Sequence, residues 1–213
     1  MAVKINAEQA ERVSIGIAGD LVESVTGLMH LNTWKNLSRG MYGSTVIIKA
    51  YEIILYFLSQ INNLDGVYGV GGNHDRLGAK EVEANGEAAE LIFYFLQKSL
   101  PTINVQYDHS ILSVDIYGIH YLLCHDDKRF TQKSKAGELL FHYGDKEKFN
   151  LIIGGHLHSR ITQLDSIRSR KINIASIFTG NSYSEDLGYS STAGFIIVEN
   201  IDGLPKVTDY TLQ

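Results

Sequence analysis

The sequence predicts an α/β fold, and three observations carry that prediction. Short apolar, β-branched runs recur along the chain and end at glycine-led polar groups. Stretches with helical apolar spacing lie between the early runs, and extended runs dominate the second half. With 213 residues, 44% of them hydrophobic and 20% charged, the chain is expected to form one domain, 1–213, around a substantial core. Against 24 acidic residues stand 19 basic ones, a formal charge of -5, which excludes a surface built wholly as a polycationic glove for nucleic acid. The single cysteine, Cys124, excludes an intrachain disulfide framework and a multi-cysteine zinc site and points to a reducing compartment, so a cytoplasmic location is expected. Residues 1–8 contain no signal-peptide core, and the greasiest stretch, Ile53 to Leu58, is too short to span a bilayer, so no membrane role is expected.

The elements follow in order. Val13 to Ala18 is a β-like run that stops at Gly19-Asp20. Val46 to Leu58 carries Ile47, Ile48, Tyr51, Ile54 and Leu55 at helical spacing and reads as a crossover helix. Val67 to Val70 is the next buried strand and runs into Gly71-Gly72-Asn73-His74-Asp75. Glu87 to Leu100 places Ala88, Leu91, Ile92, Phe95 and Leu96 on one helical face, with Pro101 closing it. Ile111 to Ile116 turns at Gly118 into Ile119 to Leu123, which ends at Cys124-His125. Lys135 to Tyr143 reads as a third helix, and Leu151 to Ile153 ends at Gly154-Gly155-His156-Leu157-His158. Ile161 to Leu164, Lys171 to Ala175 and Gly194 to Glu199 look extended, with a turn at Asp202-Gly203.

Four strand ends therefore carry polar groups able to bind metal. In α/β architectures, ligands sit beyond the carboxyl ends of strands, so these four ends are expected to share one site. Asp20, Asn73, His125, His156 and His158 form a mixed oxygen and nitrogen donor set, which suits borderline divalent ions such as manganese, iron, zinc or nickel. The preceding glycines allow sharp turns and close backbone approach, although any one of these motifs alone also reads as an ordinary turn.

Gly19-Asp20, Gly72-Asn73-His74-Asp75, His125 and Gly155-His156-Leu157-His158 occur in the order and positions of a known family. On these motifs the chain resembles the calcineurin-like metallophosphoesterases, and within them the phosphodiesterase and DNA-repair exonuclease-like branch. The resemblance implies a four-layer α/β/β/α sandwich of two mixed sheets flanked by helices, with two divalent metal ions, manganese foremost. It implies that Asp20 bridges both metals, that Asn73, His125 and His156 complete one site and that His158 belongs to the other. His74 would be the catalytic imidazole at the scissile phosphate, with Asp75 holding its ring. Two close cations would acidify a bridging water and neutralise charge developing on the phosphate, so no protein nucleophile is needed. The implied partner is a phosphodiester substrate, DNA among the candidates, and a homodimer or a partner protein is left open.

The chain departs from that family pattern at its start, because no Asp-x-His precedes Gly19. Residues 1–12 are too few for a strand and its crossover, so Met1 to Arg12 reads as the tail of that crossover and the first strand as missing. Counting ligands, only one metal would be retained in this chain and activity would be weak. Two alternatives stay open: a noncatalytic scaffold of the same fold, and a small-molecule or cyclic-nucleotide phosphodiesterase.

The remaining polar residues carry double readings. Arg76 could contact substrate phosphate or brace its own loop. Glu23, three residues after Asp20, could support the site or cap a helix. Asp126 and Asp127 follow His125 as outer-shell acceptors or a solvated turn, while Trp34, Lys35 and Arg39 suit base stacking and phosphate contact or a covering helix. Phe178 to Tyr183 is a polar loop where specificity could reside. His30, His109, His120 and His142 lie outside the motifs and read as surface or structural residues.

Overall fold

Residues Leu64–Val70 (β2) show why the first sheet forms where it does. From Gly66 onward every residue is buried, the pattern of a central parallel strand covered on both faces. Val13–Ala18 (β1) and Asn104–Asp108 (β3) pair with it on either side, both parallel, in the order β1-β2-β3. Parallel neighbours need long crossovers, here the helices Ser44–Ser59 (α2) and Glu87–Ser99 (α3), which follow a short N-terminal helix, Ala2–Ala7 (α1). The computed structural model describes residues 1–23, 25–26, 40–78, 86–125, 133–157, 161–178 and 192–212. They fall into two compact units, Met1–Ser110 and Ile111–Gln213.

In the first unit, Val46, Ile47 and Leu58 of α2 and Ala88, Ile92, Phe93 and Leu96 of α3 pack with Val67 and Val105 of the sheet. Each large side chain fully withdrawn from water contributes about 1.5–3 kcal/mol. Gly69 is what lets Phe93 lie on β2: a Cβ there would sit 2.0 Å from the ring's Cζ. Glu87 and Glu90 occupy the first turn of α3, where carboxylates complement the positive helix end, and Lys98 occupies the last. Asn6 secures α1, donating from Nδ2 to the Gln60 carbonyl at 2.8 Å and accepting from the Asn62 N–H at 2.9 Å.

The second unit is strand-rich. Ile111–Ile116 (β4), Ile119–Cys124 (β5), Phe149–Gly154 (β6), Ile161–Ser166 (β7) and Ser169–Asn173 (β8) form one sheet in the order β4-β5-β6-β8-β7. The β4–β5 and β7–β8 pairs are antiparallel, whereas β5–β6 and β6–β8 are parallel. Tyr117 and Gly118, both at positive φ, make the tight turn of the first hairpin. Lys133–Tyr143 (α4) is the crossover from β5 to β6 and seats Ala136 and Leu139 on Leu122, Cys124 and Ile152. Gly194–Ile201 (β9) and Leu204–Thr211 (β10) form a separate antiparallel hairpin, turned by Asp202 and Gly203.

The protein is thus a mixed α/β fold with sheets flanked by helices, as its sequence pattern predicts. The differences are local. Residues 2–7 are helical, and β3 and β10 have too little apolar alternation to announce themselves. β8 begins at Ser169 rather than Lys171, because Ser166 and Ser169 close the β7–β8 turn through their hydroxyls, 2.9 Å apart. Among the described residues no helix is long and apolar enough to cross a membrane.

Candidate functional site

The four punctuated strands divide between two sheets, two to each, and in both sheets they are adjacent and parallel. β1 and β2 run in register to Ala18 opposite Val70, so Gly19-Asp20 and Gly71 to Asp75 leave the first sheet at the same end. β5 and β6 run in register to Cys124 opposite Gly154, so His125 and Gly155-His156 likewise emerge together.

In the first unit a network of hydrogen bonds joins the two loops. Asp75 is fully buried; one carboxylate oxygen accepts the Val22 N–H at 3.0 Å and the other the Gly72 N–H at 2.9 Å. Asp20 Oδ1 accepts the His74 N–H at 2.9 Å. Asp20 adopts a left-handed backbone, φ 55°, just after Gly19 at φ 84°, a conformation with some backbone cost for a residue with a Cβ. Gly72 is equally constrained, because a Cβ there would lie 2.1 Å from Asp20 Oδ1 and 2.2 Å from its backbone nitrogen. Arg76 is 5% exposed and donates from Nε to the Asn73 carbonyl at 3.0 Å, so its guanidinium braces the loop after β2 from within.

The acid facing His74 differs from the one the resemblance implies. His74 Nδ1 lies 3.3 Å from both the backbone carbonyl and a carboxylate oxygen of Glu23, while the Asp75 oxygens are turned to backbone N–H groups. Burial alone would pull the imidazole down, but it is outweighed by the Glu23 hydrogen bond, the nearby Asp20 charge and the Glu23 charge, so its pKa rises to about 9. His74 is therefore held as a cation at neutral pH. The useful signal for Glu23 was its spacing, three residues beyond Asp20, which returns the chain to the same loop cluster.

In the second unit, His125 is buried and His156 half-buried, with His156 Nδ1 3.3 Å from His125 Nε2 and the rings near perpendicular at 83°. His156 adopts φ 63°, again a strained left-handed position at the very residue with a donor. The two turns are joined where the Gly155 N–H meets the Cys124 carbonyl at 3.2 Å. Two imidazole nitrogens this close suit adjacent positions on one first-row cation, and their nitrogen chemistry fits the borderline ions the sequence suggests. His158, Asp126, Asp127, Trp34, Lys35, Arg39, His30 and most of the 178–183 loop lie outside the described residues.

No family model matches the chain, and no curated protein matches it either. Several solved structures are similar at low identity. A conserved protein of Streptococcus pneumoniae TIGR4, described as a predicted phosphoesterase, is 16% identical over 80% of this chain and 84% of its own, with a TM-score of 0.42. Wild-type Vps29 of Entamoeba histolytica, complexed with zinc, is 12% identical over 93% and 98%, also at 0.42. Vacuolar protein sorting 29 of Cryptosporidium parvum is 11% identical over 93% and 96%, at 0.40.

Proposed function

We propose that the chain is a metal-dependent phosphoesterase acting on phosphodiesters. The observation that carries this reading is the first-unit loop pair, where a carboxylate at a strained turn, Asp20, is hydrogen-bonded to the backbone of an imidazole held cationic by Glu23. A half-buried imidazolium beside a carboxylate fits proton donation to an anionic ester's leaving oxygen. In the first unit Asp20 and Asn73 would offer oxygen donors to metal, and in the second His125, His156 and His158 would offer nitrogen donors. Bound there, divalent ions would supply an acidified water and charge neutralisation at phosphate.

Within this reading the chain's own residues have distinct tasks. His74 donates a proton to the leaving oxygen, and Glu23 fixes its ring through Nδ1. Asp75 keeps the Asp20 and Asn73 loops together by its two backbone bonds, and Arg76 stiffens the second loop. Manganese is the first ion to test, and DNA is one phosphodiester among those to try.

The experiment measures hydrolysis of bis-p-nitrophenyl phosphate and of a single-stranded oligonucleotide by metal-free protein reloaded with manganese, alongside His74→Ala. The variant should lose turnover by about 10²–10⁴-fold, as expected for a general acid, while binding manganese as the parent does. Loss of metal binding in a folded variant would show that His74 is a ligand. An inactive, fully loaded parent would refute the enzymatic reading and leave the scaffold.

A further inference from the structure

A second polar cluster lies in the second unit, built by β4, β5, α4 and the turn that follows it. His120 on β5 is 9% exposed. Its Nδ1 lies 2.7 Å from Asp115 Oδ1 on β4, and its Nε2 lies 2.8 Å from the Tyr143 carbonyl at the end of α4. Ser113, two residues from Asp115 on the same strand face, places its hydroxyl 3.1 Å from both Nε2 and the Tyr143 carbonyl. Lys148 Nζ bonds the other Asp115 oxygen at 2.7 Å and approaches Asp145 at 3.9 Å. Its ammonium thus sits beside both carboxylates, where a cation bound to this cluster would have to sit. On β6, Asn150 is paired in register with His120 and ties the same turn through Asp145 and Lys148. The groups around the ring are therefore Asp115, Asp145 and Lys148 as charges, with Ser113, Asn150 and the Tyr143 carbonyl as neutral dipoles.

Both ring nitrogens face acceptors at hydrogen-bond distance, so the arrangement is complete only when both carry protons. We propose that His120 is a protonation-dependent latch holding the C-terminal end of α4 against the β4–β5 hairpin. When the ring loses a proton, the carboxylate of Asp115 keeps the one on Nδ1, because it is the stronger acceptor. The Nε2 lone pair then opposes the Tyr143 carbonyl. The Ser113 hydroxyl answers by turning its hydrogen from that carbonyl to Nε2. One proton lost thereby removes two donors from the last turn of α4, where carbonyls have no helical partner. The Asp115 carboxyl is held below its usual range by Lys148 and by His120, consistent with an anion fixed at this corner. The latch bears on the candidate site through chain order, since only residues 126–132 separate His125 from α4.

The test is amide hydrogen exchange by NMR on the metal-free chain over a pH series that carries the His120 ring from its doubly to its singly protonated form. The protonation state of His120 is read from its own ring resonances in the same samples. After correction for intrinsic exchange, amides of the last α4 turn and Gly144, whose N–H bonds the Leu140 carbonyl at 3.0 Å, should exchange at least about tenfold faster as His120 deprotonates. Amides of β6 should not follow. In His120→Gln the pH dependence should vanish. Ser113→Ala, a small change at an exposed hydroxyl, serves if that variant fails to fold. It should shrink the loss on deprotonation, because only the ring's donor, and no hydroxyl's, is then withdrawn from the Tyr143 carbonyl. Exchange in α4 that ignores the His120 titration, or that keeps the parental pH response in either variant, would overturn the proposal.

Discussion

Gly72→Ala tests most directly whether the first-unit loops form a working site. The new methyl would meet Asp20 Oδ1 at 2.1 Å and the Asp20 backbone nitrogen at 2.2 Å, where ordinary contacts begin at 3.4 Å. The oxygen could rotate away, but the nitrogen belongs to a left-handed turn already strained at φ 55° and has no rotamer to change. Asp20 or the Gly72 backbone must therefore move by about 1 Å, a displacement able to cost on the order of 10²-fold in rate at a reacting centre. Overpacking of this kind also costs about 1–3 kcal/mol of stability. The movement stretches the bond from the His74 N–H to Asp20 Oδ1, so that amide's NMR resonance should shift in metal-free protein. The assay combines that spectrum, manganese affinity by calorimetry, urea unfolding and diester hydrolysis. A folded Gly72→Ala protein with parental manganese affinity, turnover within twofold of the parent and an unmoved His74 amide would refute the reasoning.

Two further outcomes follow from separate features. Gly137 lies within α4 with open space around its Cα, so Gly137→Ala should raise stability by about 0.5–1 kcal/mol in urea unfolding and leave metal binding unchanged. His74 has its folded pKa raised from 6.5 to about 9, so it contributes stability that is fully present below pH 6.5 and lost as pH rises through 9. In metal-free protein, Glu23→Gln should flatten that part of the stability profile; a variant with the parental slope between those pH values would show that Glu23 does not hold the charge.

Much of this was legible because the chemistry sits immediately after strongly patterned strands. Val13 to Ala18 and Ile111 to Ile116 have the bounds their β-branched runs suggest, and the Gly118 and Asp202-Gly203 turns fall where expected. Glycine before Asp20 and Asn73 also told truly, since Gly19 takes a positive φ and Gly72 admits no side chain beside Asp20. What did not show was how side chains choose among neighbours. Asp75 follows His74 directly, yet its carboxylate is captured by two buried backbone N–H groups, and the imidazole turns to an acid 51 residues earlier in the chain. β3 was silent because Asn104-Val105-Gln106-Tyr107-Asp108 earns its place by pairing with β2, a long-range contact that local pattern does not encode. His120 read correctly as structural, but its four-element network depends on β4–β5 register and on where α4 stops.

The buried Asp75 carboxylate also has a mechanical meaning. Because it grips Val22 on one side and Gly72 on the other, the turn after β1 and the turn after β2 cannot fluctuate independently. A displacement of the turn that carries Asp20 therefore bears directly on the turn that carries His74. Under the proposed function, that tie would keep the spacing of Asp20 and His74 while both loops shift together.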